Sequence, residues 1–216
     1  MWRENFGSPR RFLNHLRAYK LIFWAKHSFL HSTGWLDSFV HKHPRTKHGN
    51  GLPWMNYGAI HLLKQHLTRD IQLFEYGSGY STLFFSDRVN QVTSVEYDKK
   101  WFELLRKKIP NNVDLRFQEY IPNGDYCKLI LSTQQKYDVV VIDGRDRVRC
   151  AKNATNCLSD KGVIIFDDSH RSKYAEAFEY LRKNGFKILN IVGVKPGEPW
   201  MCQTTIAYRN HNCLGF

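Results

Sequence analysis

Long apolar runs are missing from this sequence. One short run, Leu21-Ile22-Phe23-Trp24-Ala25, is bounded by Lys20 and Lys26, whereas a membrane span needs about 20 apolar residues. No apolar targeting segment is read at the N-terminus. Cysteine is scarce and unpatterned. The five residues Cys127, Cys150, Cys157, Cys202 and Cys213 include no C-x-x-C pair, which argues against a disulfide framework and a zinc knuckle. Reduced thiols in a cytoplasmic protein are the expectation. There is no G-x-x-x-x-G-K-[ST] stretch to cradle a nucleoside triphosphate, and no Tyr-x-x-x-Lys pair to act on a carbonyl. Acid is short relative to base: 20 Asp and Glu against 32 Lys and Arg leave a net charge of +12. That surplus favours anionic partners.

What remains is ordinary for a globular chain. The 216 residues are 42% hydrophobic and 24% charged, enough for one domain with a sizeable core plus an arm. The arm is residues 1–50, with nine Lys and Arg against two Asp and Glu and with six of the ten histidines. Phe12, Leu13, Leu16, Tyr19, Phe23 and Trp24 recur there at helical spacing. This pattern predicts an amphipathic helix over residues 10–30. Such a helix packs on the domain, makes peripheral contact with an anionic membrane, or serves as a nucleic-acid arm. Residues 41–51 read as a solvated basic loop.

From residue 51 to 216 the pattern alternates. Helical spacing over residues 53–67 leads to an apolar strand at 71–75. Strands follow at 91–96, 113–118, 137–142, 162–166, 186–192 and 204–208, with helices near 80–88, 99–109, 126–132, 147–158 and 174–184. This order predicts an α/β fold: a doubly wound, mostly parallel sheet with helices on both faces. Ligands in such sheets bind beyond the C-terminal ends of the strands.

The strand ends are polar throughout. The first runs into Glu75-Tyr76-Gly77-Ser78-Gly79-Tyr80-Ser81-Thr82. Its glycines permit a sharp turn and a close approach to a ligand. The second ends in Glu96-Tyr97-Asp98, about twenty residues further on, where a carboxylate suits ribose hydroxyls. The fourth ends in Asp143-Gly144-Arg145-Asp146-Arg147, the fifth in Asp167-Asp168-Ser169-His170-Arg171. Each acid could instead cap a following helix. Thr82 stands where a nicotinamide fingerprint wants a small residue, so a dinucleotide is disfavoured.

Phe74-Glu75-Tyr76-Gly77-Ser78-Gly79-Tyr80-Ser81-Thr82 resembles the first motif of class I S-adenosylmethionine-dependent methyltransferases. Ser94-Val95-Glu96-Tyr97-Asp98 resembles their ribose-binding motif. Residues 139–144 and 162–168 are similar to their fourth- and fifth-strand segments, and the likeness covers residues 52–209, closest to small bacterial methyltransferases of uncertain substrate. The resemblance implies a seven-stranded Rossmann-like sheet with an antiparallel last strand, and S-adenosylmethionine as donor. It implies Glu75, Gly77, Ser78, Gly79, Ser81, Glu96, Tyr97 and Asp143 as the donor-binding set. Glu75 would hold the donor's ammonium, and Tyr76, Tyr80 or Trp101 would stack on its adenine or face its cation. Asp143, Asp168 and His170 are the catalytic candidates for deprotonating an acceptor hydroxyl. Asp143, Asp167 and Asp168 also imitate the magnesium ligands of metal-assisted O-methyltransferases.

The expected function is methyl transfer to an oxygen of a small-molecule or carbohydrate-like acceptor. Two rivals are a nucleic-acid methyltransferase, disfavoured because much of the charge lies in the arm, and a non-catalytic membrane-surface protein on the same scaffold.

Overall fold

The computed structural model describes residues 27–216 together with Leu13, Leu16, Arg17, Tyr19 and Lys20. Those five residues are helical and exposed. The remainder of the helix expected over residues 10–26 lies outside the described residues. The expected helix does not run on to residue 30. His27 and Ser28 form a turn, and Ser28 Oγ accepts from the His31 amide to start a separate helix, α1 (Phe29–Ser32). Next comes α2 (Trp35–His41), entered through Gly34 and left through Lys42, both left-handed.

The helix expected over residues 53–67 begins late, as α3 (Tyr57–His66). Asn56 sets its start by accepting from the Ala59 amide at 3.0 Å, which satisfies a donor the helix leaves free. Alternation then proceeds through β1 (Gln72–Tyr76), α4 (Tyr80–Ser86), β2 (Gln91–Glu96), α5 (Lys99–Leu105) and β3 (Val113–Phe117). It continues through α6 (Asp125–Ser132), β4 (Tyr137–Ile142), α7 (Arg147–Cys157), β5 (Leu158–Phe166) and α8 (Ala175–Lys183). A hairpin of β6 (Lys187–Val194) and β7 (Met201–Tyr208) completes the sheet.

The sheet order is β3-β2-β1-β4-β5-β7-β6. Pairing from β3 through β5 is parallel, and β7 is antiparallel to both of its neighbours. The seven strands and the reversed last strand are as expected. β5 starts earlier than its apolar pattern suggests. Leu158 already pairs with Tyr137, the polar stretch of residues 159–162 bulges, and regular pairing resumes at Val163.

Two apolar layers sandwich the sheet. Along β4, Val140 and Ile142 face one layer with Phe74, Phe166 and the buried sides of α6, α7 and α8. Val139 and Val141 face the other with Leu73, Ile60, Leu63, Phe84 and Phe85. Burial on both faces explains the unbroken apolar runs of the central strands. Strand order reverses direction between β1 and β4, so the ends of these two strands open a crevice.

Candidate functional site

β1 ends at the crevice, and the chain there must turn into α4. Gly77 makes the turn with φ +92, and a Cβ on it would lie 2.9 Å from Gly144. Gly77 therefore answers both a left-handed backbone and a close crossing of two strand ends. Gly79 differs. Its φ is 176, which any residue adopts, and a Cβ there would meet no protein atom nearer than Trp101 Nε1 at 3.9 Å. Packing within the protein does not demand that glycine.

Around this turn lies a cleft of about 660 Å³. Of the donor set read from sequence, it brings Gly77, Ser78, Gly79, Ser81, Glu96, Tyr97 and Asp143 to its walls. Tyr80 and Trp101 line it as well. Trp101 Nε1 donates to the Ser78 carbonyl at 2.9 Å, which ties the turn to α5.

Glu96 is 4% exposed. Its Oε2 accepts from the Ser78 amide at 3.1 Å, and its Oε1 from the Tyr97 and Asp98 amides at 2.8 Å. Burial raises its pKa, and the three backbone N–H groups oppose the rise. Three amides fix the carboxylate in place, and Oε2, with a single amide donor, retains a lone pair for a ligand.

Glu75 does not take the role expected of it. It is fully buried and is absent from the cleft wall. Ser81 Oγ donates to Oε1 at 2.5 Å, and Thr82 Oγ1 and Ser94 Oγ donate to Oε2 at 2.5 and 2.7 Å. These hydroxyls enclose the carboxyl, so Glu75 anchors the turn to α4 and β2 from beneath. Burial pushes its pKa up to about 7. Tyr76 is likewise buried, with its hydroxyl on the Cys127 carbonyl, so of the three candidate stacking aromatics only Tyr80 and Trp101 line the cleft.

The ends of β4 and β5 form the second wall. Arg147 binds the Gly144, Asp167 and Asp143 carbonyls at 3.0, 2.7 and 3.0 Å and the Asp143 carboxylate at 2.8 Å. It clamps the two strand ends together. Asp143 is partly open to the cleft, and its Oδ2 has no hydrogen bond from a described residue. Burial raises the Asp143 pKa, the charge of Asp167 adds to the rise, and Arg147 opposes it.

Asp167 and Asp168 face a residue the sequence reading missed. Lys195 Nζ, on the connection between β6 and β7, lies 2.6 Å from Asp167 Oδ2 and 2.8 Å from Asp168 Oδ1. Thr204 Oγ1 donates to Asp167 Oδ1 at 2.7 Å, and Arg171 holds Asp168 Oδ2. Asn56 Nδ2 extends the chain by donating to Thr204 Oγ1 at 3.0 Å. Burial alone would lower the Lys195 pKa, but the charge of Asp167 and the hydrogen bonds to both acids raise it. For Asp168, burial pushes upward, while Lys195, Arg171 and Arg147 outweigh it and leave the carboxyl below its usual range.

These four oxygens do not fit a magnesium ion. Each already accepts from an ammonium, guanidinium or hydroxyl, and the ammonium sits between the two carboxylates where the cation would go. Among the described residues, no group of three His, Cys, Asp or Glu side chains is arranged to hold a metal. His170 is exposed and does not line this cleft. The loop read as solvated reaches the site instead: His43 stacks on Tyr80 with ring centroids 4.8 Å apart, and Lys42, His43 and Pro44 line the cleft.

No family model matches the sequence. A methyltransferase-like protein from Silicibacter pomeroyi DSS-3 aligns with a TM-score of 0.54 and 22% identity, over 73% of this chain and 89% of its own. A methyltransferase from Pyrococcus furiosus aligns with a TM-score of 0.52 and 18% identity, over 82% of this chain and 94% of its own. The chain shares its fold with these methyltransferase structures. The methyltransferase fold also carries other transferases. Spermidine synthase from Thermotoga maritima aligns with a TM-score of 0.55 and 14% identity, over 71% of this chain and 57% of its own. A polyamine aminopropyltransferase from Methanocaldococcus jannaschii is 29% identical in a match covering 47% of this chain. This chain spans about 40% of that relative's length. No helix among the described residues is long and apolar enough to cross a membrane.

Proposed function

We propose that the protein transfers a methyl group from S-adenosylmethionine to an oxygen of a small-molecule or carbohydrate-like acceptor. The observation that carries the reading is the unfilled space above Gly79. A Cβ could stand there without touching protein closer than 3.9 Å, on the floor of the cleft that Glu96 enters. A glycine kept open by nothing in the protein suits a ligand that approaches the backbone closely.

When bound, the donor supplies a methyl carbon on a sulfonium: the acceptor oxygen bonds to that carbon, the carbon–sulfur bond breaks, and a neutral thioether leaves. Glu96 receives a ribose hydroxyl through Oε2, and the turn from Gly77 to Gly79 borders the donor's polar end. Tyr80 and Trp101 offer aromatic faces for the adenine. Asp143 is the group positioned to accept the acceptor's proton, through the Oδ2 that its salt bridge with Arg147 leaves open. The upward shift of its pKa strengthens it as a base. In-line displacement depends mainly on alignment, and Arg147 fixes Asp143 for that purpose.

Aminopropyl transfer to a polyamine, the activity named for the Methanocaldococcus relative, is opposed by the arginine and lysine side chains around the acceptor side, which repel a polycation. Calorimetric titration with S-adenosylmethionine tests the reading. Wild type should bind, and Glu96→Ala should lose at least about tenfold in affinity, or about 1.4 kcal/mol. Absence of binding by the folded protein would sink the proposal.

A further inference from the structure

Beside the donor cleft lies a second pocket of about 430 Å³. Gly144, Arg145 and Arg147 line both, so a single stretch of backbone separates them. Six cations border the second pocket: Arg145, Arg147, Arg149, Lys152, Arg171 and Lys173. Four of them have carboxylate partners. Arg147 pairs with Asp143, Arg149 with Asp146, Lys152 with Glu176 and Arg171 with Asp168. A fifth acid nearby, Asp167, is matched by Lys195.

Arg145 and Lys173 remain. Neither has an ion pair with a described residue. Each rests instead on an aromatic ring, Arg145 at 5.0 Å from the Tyr97 centroid and Lys173 at 5.1 Å from that of Tyr174. A ring face holds a cation without neutralising it, so the pocket keeps two uncompensated positive charges. Like charges gathered on one concave wall raise the local concentration of an anion. Guanidinium groups in addition match carboxylate and phosphate oxygens two at a time.

We propose that this pocket binds an anionic group, a carboxylate or a phosphate, of the methyl acceptor. The inference rests on the methyl-transfer reading for the word acceptor, but the anion site itself does not. Arg145 and Lys173 hold the anion, and Tyr120 and Tyr174 border it. The hydroxyl to be methylated then reaches past Gly144 into the donor cleft, where Asp143 stands. The anion thus selects the acceptor and sets its register, while leaving the reacting oxygen uncharged until its proton departs.

The test is a titration of the full-length protein with inorganic phosphate against chloride at matched ionic strength, followed by amide chemical shifts. It is run on wild type, on Arg145→Gln/Lys173→Gln, and on Lys107→Gln/Lys108→Gln, a charge-matched control on an exposed surface elsewhere. Saturable shifts should centre on residues 144–149 and 171–174, weaken about tenfold in the first variant and persist in the control. Equal binding by all three proteins, or no saturable shift, overturns the proposal. Glucuronate, glucose 6-phosphate and glucose, added in the presence of S-adenosylmethionine, extend it: preference for either anionic sugar supports the site, and preference for neutral glucose overturns it. A short single-stranded RNA that alone binds through Arg145 and Lys173 would overturn it in favour of a nucleic-acid acceptor. Donor calorimetry, read separately, reports failure of the methyl-transfer reading without touching the phosphate result.

Discussion

The Lys195 ammonium lies 2.6 Å from the Asp167 carboxylate, with the two side chains 9% and 0% exposed. Lys195 belongs to the connection between β6 and β7, and Asp167 follows β5, so the contact closes the sheet's second half over the site. Removing one partner of a buried pair strands the other charge, at a cost of about 3–5 kcal/mol. Lys195→Met should lose stability of that order in urea unfolding. The same contact predicts that chelator leaves turnover unchanged and that millimolar magnesium gives wild type no added thermal stability. A chelator-sensitive enzyme would contradict the assignment of the cation's place to Lys195.

Glu75 gives the stability curve a sign. Its carboxyl titrates near 4.5 when unfolded, and burial moves it to about 7 in the folded protein. Between those values the folded chain holds the proton more firmly. Its stabilising contribution is therefore complete below the unfolded value and is lost as pH rises through the folded one. The fall is on the order of 3 kcal/mol. Glutamine imitates the protonated form in being neutral and in replacing one acceptor oxygen with a donor group. Glu75→Gln should match wild type at about pH 5 and exceed it at about pH 8, with the slope due to Asp143 remaining in both. Parallel urea midpoints for the two proteins across that range would refute a buried, proton-retaining Glu75.

Gly79→Ala separates folding from binding. Its φ of 176 suits alanine, and the added methyl meets no protein atom within 3.9 Å. Thermal unfolding should be unchanged to within about 0.5 kcal/mol. Affinity for S-adenosylmethionine should drop by tenfold or more, since a methyl group would occupy the ligand's side of the turn. Unaltered affinity would mean that the donor lies elsewhere in the cleft.

Much of this was written in the sequence, because strand ends in a parallel sheet are marked by where apolar runs stop. The stops at Glu96 and Asp143 were visible, and both residues stand on the cleft wall. Lys195 was not visible. In sequence it looks like part of an exposed turn, Lys195-Pro196-Gly197, and its burial depends on pairing with acids 27 and 28 residues earlier. No local periodicity carries that information. Glu75 misled for a related reason. Its motif shows an acid before a glycine turn but not the direction in which the side chain points. The clue was the run Ser81-Thr82 with Ser94, three hydroxyls placed to face inward. His43 escaped because α2, seven residues long, is too short to declare itself by spacing, and α2 leads the chain toward the cleft.

Gly144 separates the two pockets by the thickness of one peptide. A Cβ there would collide with the Tyr126 hydroxyl on one side and approach the Gly77 amide at 3.1 Å on the other. For anyone redesigning this protein, the partition is a constraint: it can be neither thickened nor moved. Retargeting to a larger or differently charged acceptor must therefore proceed from the outer rim, through positions such as 149, 152 and 173, where side chains can be exchanged without narrowing the neighbouring chamber.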